Sequence, residues 1–325
     1  MIISRTPLRV SFVGGGTDLP GFCNKERGAV VSTAIKKYVY IVIHKSFDTK
    51  NILAYSKREI VDSVDQIQNT RIREAMKMTG ITKGIEIHSL AEVPAGTGLG
   101  SSSSFTIGLL NALYAYQGKF VSAERLAKEA TEIEINILKE PIGRQDQYAA
   151  AFGGLNKIEF LGDDVKIRPI ICDKKTKQKL QNNLLLFYLG GEREAKSILS
   201  QQNKNITEDE SIFKMHLNMR TLADEMERYL LNDDISKFGE LLHKNWLLKQ
   251  NLVKGISNER INNYYQKALN NGAIGGKLLG AGGTGFLLIY AEPEKQNAVR
   301  KALEDLREYA LEFDTEGSKI IYLGD

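Results

Sequence analysis

Cysteine is scarce in this 325-residue chain: its two copies, Cys23 and Cys172, lie far apart and have no CxxC spacing. Two thiols exclude a disulfide framework, and both are expected to be buried apolar fillers. The four histidines, His44, His88, His216 and His243, are scattered without metal-site spacing. No apolar run approaches the ~18 residues of a membrane-spanning helix, so no membrane partner is expected. The opening MIISRTPLRV has neither a long apolar core nor a small-residue cleavage site, which makes a cytoplasmic location the expectation. A dense basic stripe with interleaved aromatics is also missing. The net charge of +4 therefore favours anionic ligands mildly, without pointing to nucleic acid. IKKYVYIVIHK comes nearest, but its alternation reads as a strand with one solvated face. The GxxxxGK[ST] phosphate loop does not occur.

What remains is an ordinary globular composition, 42% apolar and 26% charged, long enough for two domains. Short β-branched runs mark strands in IISRTP, LRVSFVG, AVVSTAI, YVYIVIHKS, ILAYS and GIEIHSLAEV. DQIQNTRIREAMKMTG has helical spacing and stops at a glycine, and helices are expected at about 103–117 and 122–138. GGLNKIEFLGDDVKIRPI reads as a hairpin turning at GDD. The polar CDKKTKQKLQNN suggests a boundary dividing residues 1–172 from 173–325. Beyond it come LLLFYLG, helices near 192–204, 208–231, 234–250 and 257–271, strands AIGGKLL and GFLLIYA, a helix at 293–308 and a last strand, KIIYLG. Without the inserted helices this order is β-α-β-β-α-β, the split βαβ of ferredoxin-like domains, within an α+β fold.

Three glycine-rich loops carry the chemistry. GAGGTG at 280–285 fits GxGxxG, but a strand follows it instead of a helix, which excludes a dinucleotide site. PAGTGLGSSSS at 94–104 leads into the apolar FTIGLLNALYAY. Gly96, Gly98 and Gly100 can bring the backbone close to a ligand, and the serines can cap the helix whose N-terminus would favour a polyphosphate. The alternative is a plain Gly/Ser turn with serine caps. In PLRVSFVGGGTDLP, Arg9 lies in a strand and Asp18 follows Gly14, Gly15 and Gly16; alone, this is equally a turn and a cap. EIEINILKEPIGRQDQYAAAFGG offers two carboxylates, Glu134 late in a helix and Asp146 between two glutamines. A kinase needs one acid for Mg2+ and one group to orient or deprotonate the acceptor, though a capping or ion-paired Asp146 is the other reading.

In series, TPLRVSFVGGGTD, PAGTGLGSSSS and GGKLLGAGGTGFLL resemble the three motifs of the GHMP kinases, in order and at similar spacing. The resemblance implies an N-terminal domain like ribosomal protein S5 domain 2, with a left-handed crossover, joined to a ferredoxin-like domain. It departs from galactokinases and mevalonate kinases at Gly15 and Gly16, where those have Glu and His. The triple glycine, IGRQDQYAAAFGG and GAIGGKLLGAGGTGFLL are most similar to heptose 7-phosphate kinases, with fucokinase-like relatives nearby. The activity implied is ATP- and Mg2+-dependent phosphorylation of the anomeric hydroxyl of a sugar phosphate, toward nucleotide-activated heptose for surface glycans. The alternatives are another sugar 1-kinase, for fucose or an N-acetylhexosamine, and a silent ligand-sensing homologue.

Carried over by the same resemblance, Asp146 acts on the acceptor hydroxyl with Arg9 beside it. Pro94, Gly96, Thr97, Gly98, Leu99, Gly100, Ser101, Ser102 and Ser103 hold the nucleotide phosphates. Ser102, or else Ser101, shares Mg2+ with Glu134. Asp18, Gly15 and Gly16 meet the sugar, and Gly280, Ala281 and Gly282 support the site. Arg193, Arg144, Lys36 and Lys37 are the basic candidates for the sugar phosphate. Homodimerisation is left open.

Overall fold

The computed structural model describes residues 1–191 and 195–324. The first half runs β1 (Ile2–Val13), α1 (Pro20–Cys23), β2 (Gly28–Lys45), β3 (Asn51–Ala54), β4 (Arg58–Val61), α2 (Thr70–Thr79) and β5 (Ile85–Ala91). It continues through α3 (Ser101–Tyr116), α4 (Ala123–Thr131), α5 (Gln145–Phe152), β6 (Leu155–Leu161) and β7 (Asp164–Pro169). The second half holds α6 (Lys174–Asn182), β8 (Leu184–Tyr188), α7 (Ala195–Glu208), α8 (Glu210–Leu231), α9 (Phe238–Lys249) and α10 (Glu259–Asn270). It ends with β9 (Gly275–Leu278), β10 (Phe286–Tyr290), α11 (Pro293–Ala302), β11 (Arg307–Tyr309), β12 (Phe313–Asp314) and β13 (Lys319–Leu323).

Two expected pairs of strands are single long ones. Pro7 lacks an N–H to give the ladder, yet it does not break β1; the register skips there, from Pro7 opposite Tyr38 to Leu8 opposite Ile35. The residues skipped on β2 are Lys36 and Lys37, which bulge outward to pair with Glu312 and Glu92. The polar stretch read as a boundary is itself helix α6, capped by Asp173, whose carboxylate accepts from the Thr176 N–H. The hairpin β6–β7 turns through Gly162 and Asp163, with Leu161 opposite Asp164.

The second sheet has the order β11-β8-β10-β9, the expected split βαβ topology. Its fourth strand, however, is Arg307–Tyr309 and not KIIYLG. The helix ends at Ala302 instead of 308 because Leu303 and Leu306 bury a turn instead of continuing the spiral. KIIYLG becomes β13, antiparallel to the start of β1, and β12 pairs with β2. A second domain running to 325 is therefore corrected: its sheet is complete at Tyr309, and β12 and β13 join the first sheet.

One core, around β1, β2 and α3, runs on into the second half through Met226, Phe238, Leu242 and Tyr290, and a second gathers around Trp246, Phe187 and Leu287. Where the halves meet, Phe12 of β1 packs on Phe238 of α9 edge to face, with ring centres 5.0 Å apart. Such a pair contributes about 0.5–1.5 kcal/mol beyond its buried area. α3 is buried on nearly every side, as a helix apolar all round must be, and its N-terminus opens toward the second half.

Candidate active site

Gly96, Gly98 and Gly100 all have positive φ, so the loop before α3 winds in a conformation other residues resist. At Gly98 a Cβ would lie 2.6 Å from the Leu279 carbonyl oxygen, and at Gly280 one would lie 2.4 Å from the Gly98 Cα. The two glycine loops thus touch backbone to backbone, and the site forms at that junction. Its pocket, about 300 Å3, is lined by Gly96, Gly98, Gly100 and Ser101–Ser103 on one wall and Gly280, Ala281 and Gly282 on another.

The serines divide their tasks. Gly100 is the N-cap of α3, so no serine side chain caps the helix, against expectation. Ser102 is exposed to the pocket, Ser103 donates to Glu134 and Ser104 to the Pro7 carbonyl. Of the residues assigned to the phosphates, Pro94, Thr97 and Leu99 do not line the pocket. Pro94 is exposed, the Thr97 hydroxyl donates to its carbonyl, and Leu99 is buried with its carbonyl accepting from the Arg9 N–H.

Arg9 and Asp146 meet at the pocket floor. Arg9 Nε donates to one Asp146 oxygen and Nη2 to the other, each at 2.7 Å, while Nη1 donates to the Gly98 carbonyl at 2.6 Å. Asp146 opens α5, where the helix dipole favours a carboxylate. Asp18 lies nearby, accepting from the Gly16 N–H, the Gln145 N–H and the Gln145 side chain. Burial, and then the neighbouring charge of Asp146, push the Asp18 carboxyl above its ordinary range. Gly15 and Gly16 line the same floor. Two polar atoms there, Ser11 Oγ and Gln145 Oε1, are buried without a partner among the described residues. Unpaired donors and acceptors of this kind suit a polyhydroxylated ligand.

Glu134 departs from expectation. The helix begun by α4 widens over Glu132–Ile137 into a π-turn, which directs Glu134 inward to full burial. Its two oxygens accept from Arg71 at 3.1 Å, Ser103 at 2.8 Å, Thr106 at 2.7 Å and Gln147 at 2.6 Å. Four donors occupy the acceptor capacity of a carboxylate, and the cation beside it is a guanidinium. Mg2+ shared by Ser102 and Glu134 therefore does not fit these residues. The serine reaching Glu134 is Ser103, and the other acid at this edge, Glu140, is also paired, with Arg71 at 2.6 Å and Lys196 at 3.4 Å.

Of the basic candidates for a sugar phosphate, Lys36 and Lys37 lie on the β2 bulge. Arg144 is spent on the Gly162 carbonyl and Asp163, and Arg193 lies outside the described residues. Besides Arg9, the cations that line the pocket are Arg71, Lys196, Lys249 and Lys277, none of them named from the sequence. Lys249 had a readable signal: with Leu242 and Trp246 it follows helical i, i+4, i+7 spacing, placing a lysine on the buried stripe of α9. Lys277 stands inside the third glycine motif itself. Behind Gly16, Gln202 bonds the buried His216, whose pKa burial lowers to about 4. A cluster that spacing could not reveal lies elsewhere: His44, Glu86 and His88 converge on β2 and β5 through cross-strand register.

The descriptions "GHMP kinases N terminal domain" and "GHMP kinases C terminal" match residues 66–154 and 223–310. A D-glycero-alpha-D-manno-heptose 7-phosphate kinase of Campylobacter jejuni is 30% identical, over 96% of each chain. Among solved structures, a sugar kinase from Campylobacter jejuni is 28% identical with a TM-score of 0.79, over 98% of this chain and 97% of that one. A D-glycero-D-manno-heptose 1-phosphate kinase from Bacteroides thetaiotaomicron covers all of both chains at 23% identity and a TM-score of 0.81, a likeness of fold. No helix among the described residues is long and apolar enough to cross a membrane. With glycine loops from both halves meeting over an Arg–Asp pair, and with both domain matches in place, the chain belongs to the GHMP kinase family and is a phosphotransferase.

Proposed function

We propose that the protein is a cytoplasmic ATP-dependent sugar kinase that phosphorylates the anomeric hydroxyl of D-glycero-D-manno-heptose 7-phosphate, giving the 1,7-bisphosphate for activated-heptose synthesis. The observation that carries a phosphoryl-transfer reading is the bidentate Arg9–Asp146 pair, open to a pocket walled by the N-terminus of α3. The name of the Campylobacter jejuni relative supports the choice of sugar.

In this reading ATP lays its phosphates along Gly96–Ser103, where main-chain N–H groups and the dipole of α3 favour negative charge. The acceptor sugar rests against Asp18, Gly15, Gly16, Ser11 and Gln145. Asp146 takes the proton of the anomeric hydroxyl, that oxygen bonds to the terminal phosphorus, and the bond from phosphorus to the bridging oxygen breaks to release ADP. Arg9 holds both Asp146 oxygens in place, so catalysis rests on position and charge more than on covalent work. A silent sensor has no chemical need of this oriented acid.

The test is ADP release over a panel of sugars and sugar phosphates, with NMR of the product. Turnover is expected with the heptose 7-phosphate, the new phosphate appearing at C1. Turnover of free fucose or an N-acetylhexosamine, with none of the heptose phosphate, would refute the substrate and leave the phosphotransferase standing.

A further inference from the structure

Lys249 is 6% exposed and Lys277 is 2% exposed, yet both line the pocket. Among the described residues their hydrogen-bond partners are main-chain carbonyls alone. Lys249 donates to Gly280, and Lys277 donates to Ser11 at 2.8 Å and Phe12 at 2.9 Å. The other cations of the pocket are spent on acids: Arg71 on Glu134 and Glu140, Lys196 on Glu140, and Arg9 on Asp146. Arg9 turns its fork toward Asp146 and its remaining amino group toward Gly98, so it cannot also grip a phosphate edge-on. An ammonium has three donors, and Lys249 uses one on a carbonyl. A buried cation without an acid is costly to keep unless a ligand supplies the anion.

The position of Lys249 identifies that anion. Gly280, whose carbonyl it holds, packs against Gly98 of the nucleotide loop, and Arg9 reaches the Gly98 carbonyl from the other side. We propose that Lys249 binds the terminal phosphoryl group of ATP at the junction of the two glycine loops, with Lys277 fixing the end of β1 behind it. The proposal rests on the phosphotransferase reading, not on the identity of the sugar. Burial, with the neighbouring charge of Arg9, already lowers the Lys249 pKa to about 8, as expected of an ammonium awaiting a counter-charge.

The experiment measures binding of AMP-PNP and ADP to wild type and to Lys249→Met by calorimetry, without any sugar. Losing charge-assisted bonds to one phosphoryl group should weaken AMP-PNP about 30-fold and leave ADP within about threefold. The apo variant should be no less stable, because a buried charge bonded to a carbonyl, with no acid in hydrogen-bond contact, has been replaced by an apolar side chain. Equal losses for both nucleotides, or no loss for either, would overturn the proposal. If wild type binds neither nucleotide, the phosphotransferase reading falls as well, and the two failures remain distinct.

Wild type supplies a second measurement should the variant not fold. The charged groups around Lys249 are Arg9, Lys277, Asp18 and Asp146. The preference for AMP-PNP over ADP should fall as pH rises through 8, approaching about tenfold per unit as the free ammonium loses its proton. A preference constant from pH 7 to 9.5 would count against Lys249.

Discussion

Replacing Asp146 by asparagine keeps the shape of the side chain and removes its charge, so it separates the acid's chemistry from its packing. The Arg9 side chain is 5% exposed and that of Asp146 is 24% exposed, and the pair shares two bonds of 2.7 Å. Breaking a fully buried ion pair costs about 3–5 kcal/mol; with a quarter of Asp146 in solvent we expect about 2–3 kcal/mol, read from urea unfolding. Arg9 keeps one partner, the Gly98 carbonyl, so the nucleotide loop should hold its place. Nucleotide affinity should then change by less than about threefold, because in the proposed mechanism Asp146 acts on the acceptor. Loss of a positioned base should lower kcat about a thousandfold in the ADP-release assay. Adding Arg9→Met to Asp146→Asn should restore part of the lost stability without activity, since no buried charge is left alone. A folded Asp146→Asn enzyme within about tenfold of wild-type kcat would refute the role.

Glu134→Gln should destabilise by about 3 kcal/mol, because Arg71, Ser103, Thr106 and Gln147 lose a charged acceptor. The magnesium dependence of the folded variant should be unchanged; a markedly higher magnesium requirement with intact stability would restore Glu134 as a metal ligand. Gly280→Ala combines a positive φ with a methyl 2.4 Å from the Gly98 Cα. It should cost about 2–5 kcal/mol and most of the nucleotide affinity, and unaltered binding would show that the loops part freely. His216, held neutral with a pKa near 4, contributes stability that is complete above its unfolded value of 6.5 and is lost as pH falls through that interval. The loss reaches about 3 kcal/mol. Asp18, with a raised pKa, acts in the opposite sense, so the measurement is the difference in unfolding midpoint between wild type and His216→Phe at pH 7 and pH 4.5. An identical difference at both pH values would contradict the burial argument.

Legibility from sequence followed the range of the forces involved. The glycine loop before α3 could be read locally, since alternating glycines ahead of an apolar helical run fix both the turn and the helix start. The split βαβ order could be read too, except for its fourth strand. KIIYLG is the strand expected there, but it pairs with β1, which depends on where a chain of this length returns in space. Glu134 shows how spacing misleads. Twelve residues separate it from Asp146 whether the intervening helix is regular or widened, and only the π-turn decides that Glu134 faces Arg71. Lys249 was readable in principle, a charge on an apolar stripe, but such a stripe declares burial without saying what is buried beside it.

Neither half of the chain holds a complete site. Arg9, Asp18 and Asp146 come from the first, Lys249, Lys277 and Gly280 from the second, and they are united by glycine backbone against glycine backbone and by Lys277, which donates to the Ser11 and Phe12 carbonyls. The glycine contact has little adhesion of its own, and further contacts between the halves reinforce it. Phe12 packs on Phe238, the buried Lys157 of β6 is paired with Glu227 of α8 at 2.8 Å, and β13 returns from the second domain to pair with β1. The last two act at opposite ends of the first sheet, and β1 itself carries Arg9. The strand that ties the second domain back is hydrogen-bonded to the strand that holds Arg9, so any opening between the halves strains the position of Arg9. Nucleotide affinity and global stability should therefore decline together for changes at this seam, and separately for changes on the sugar side of the floor.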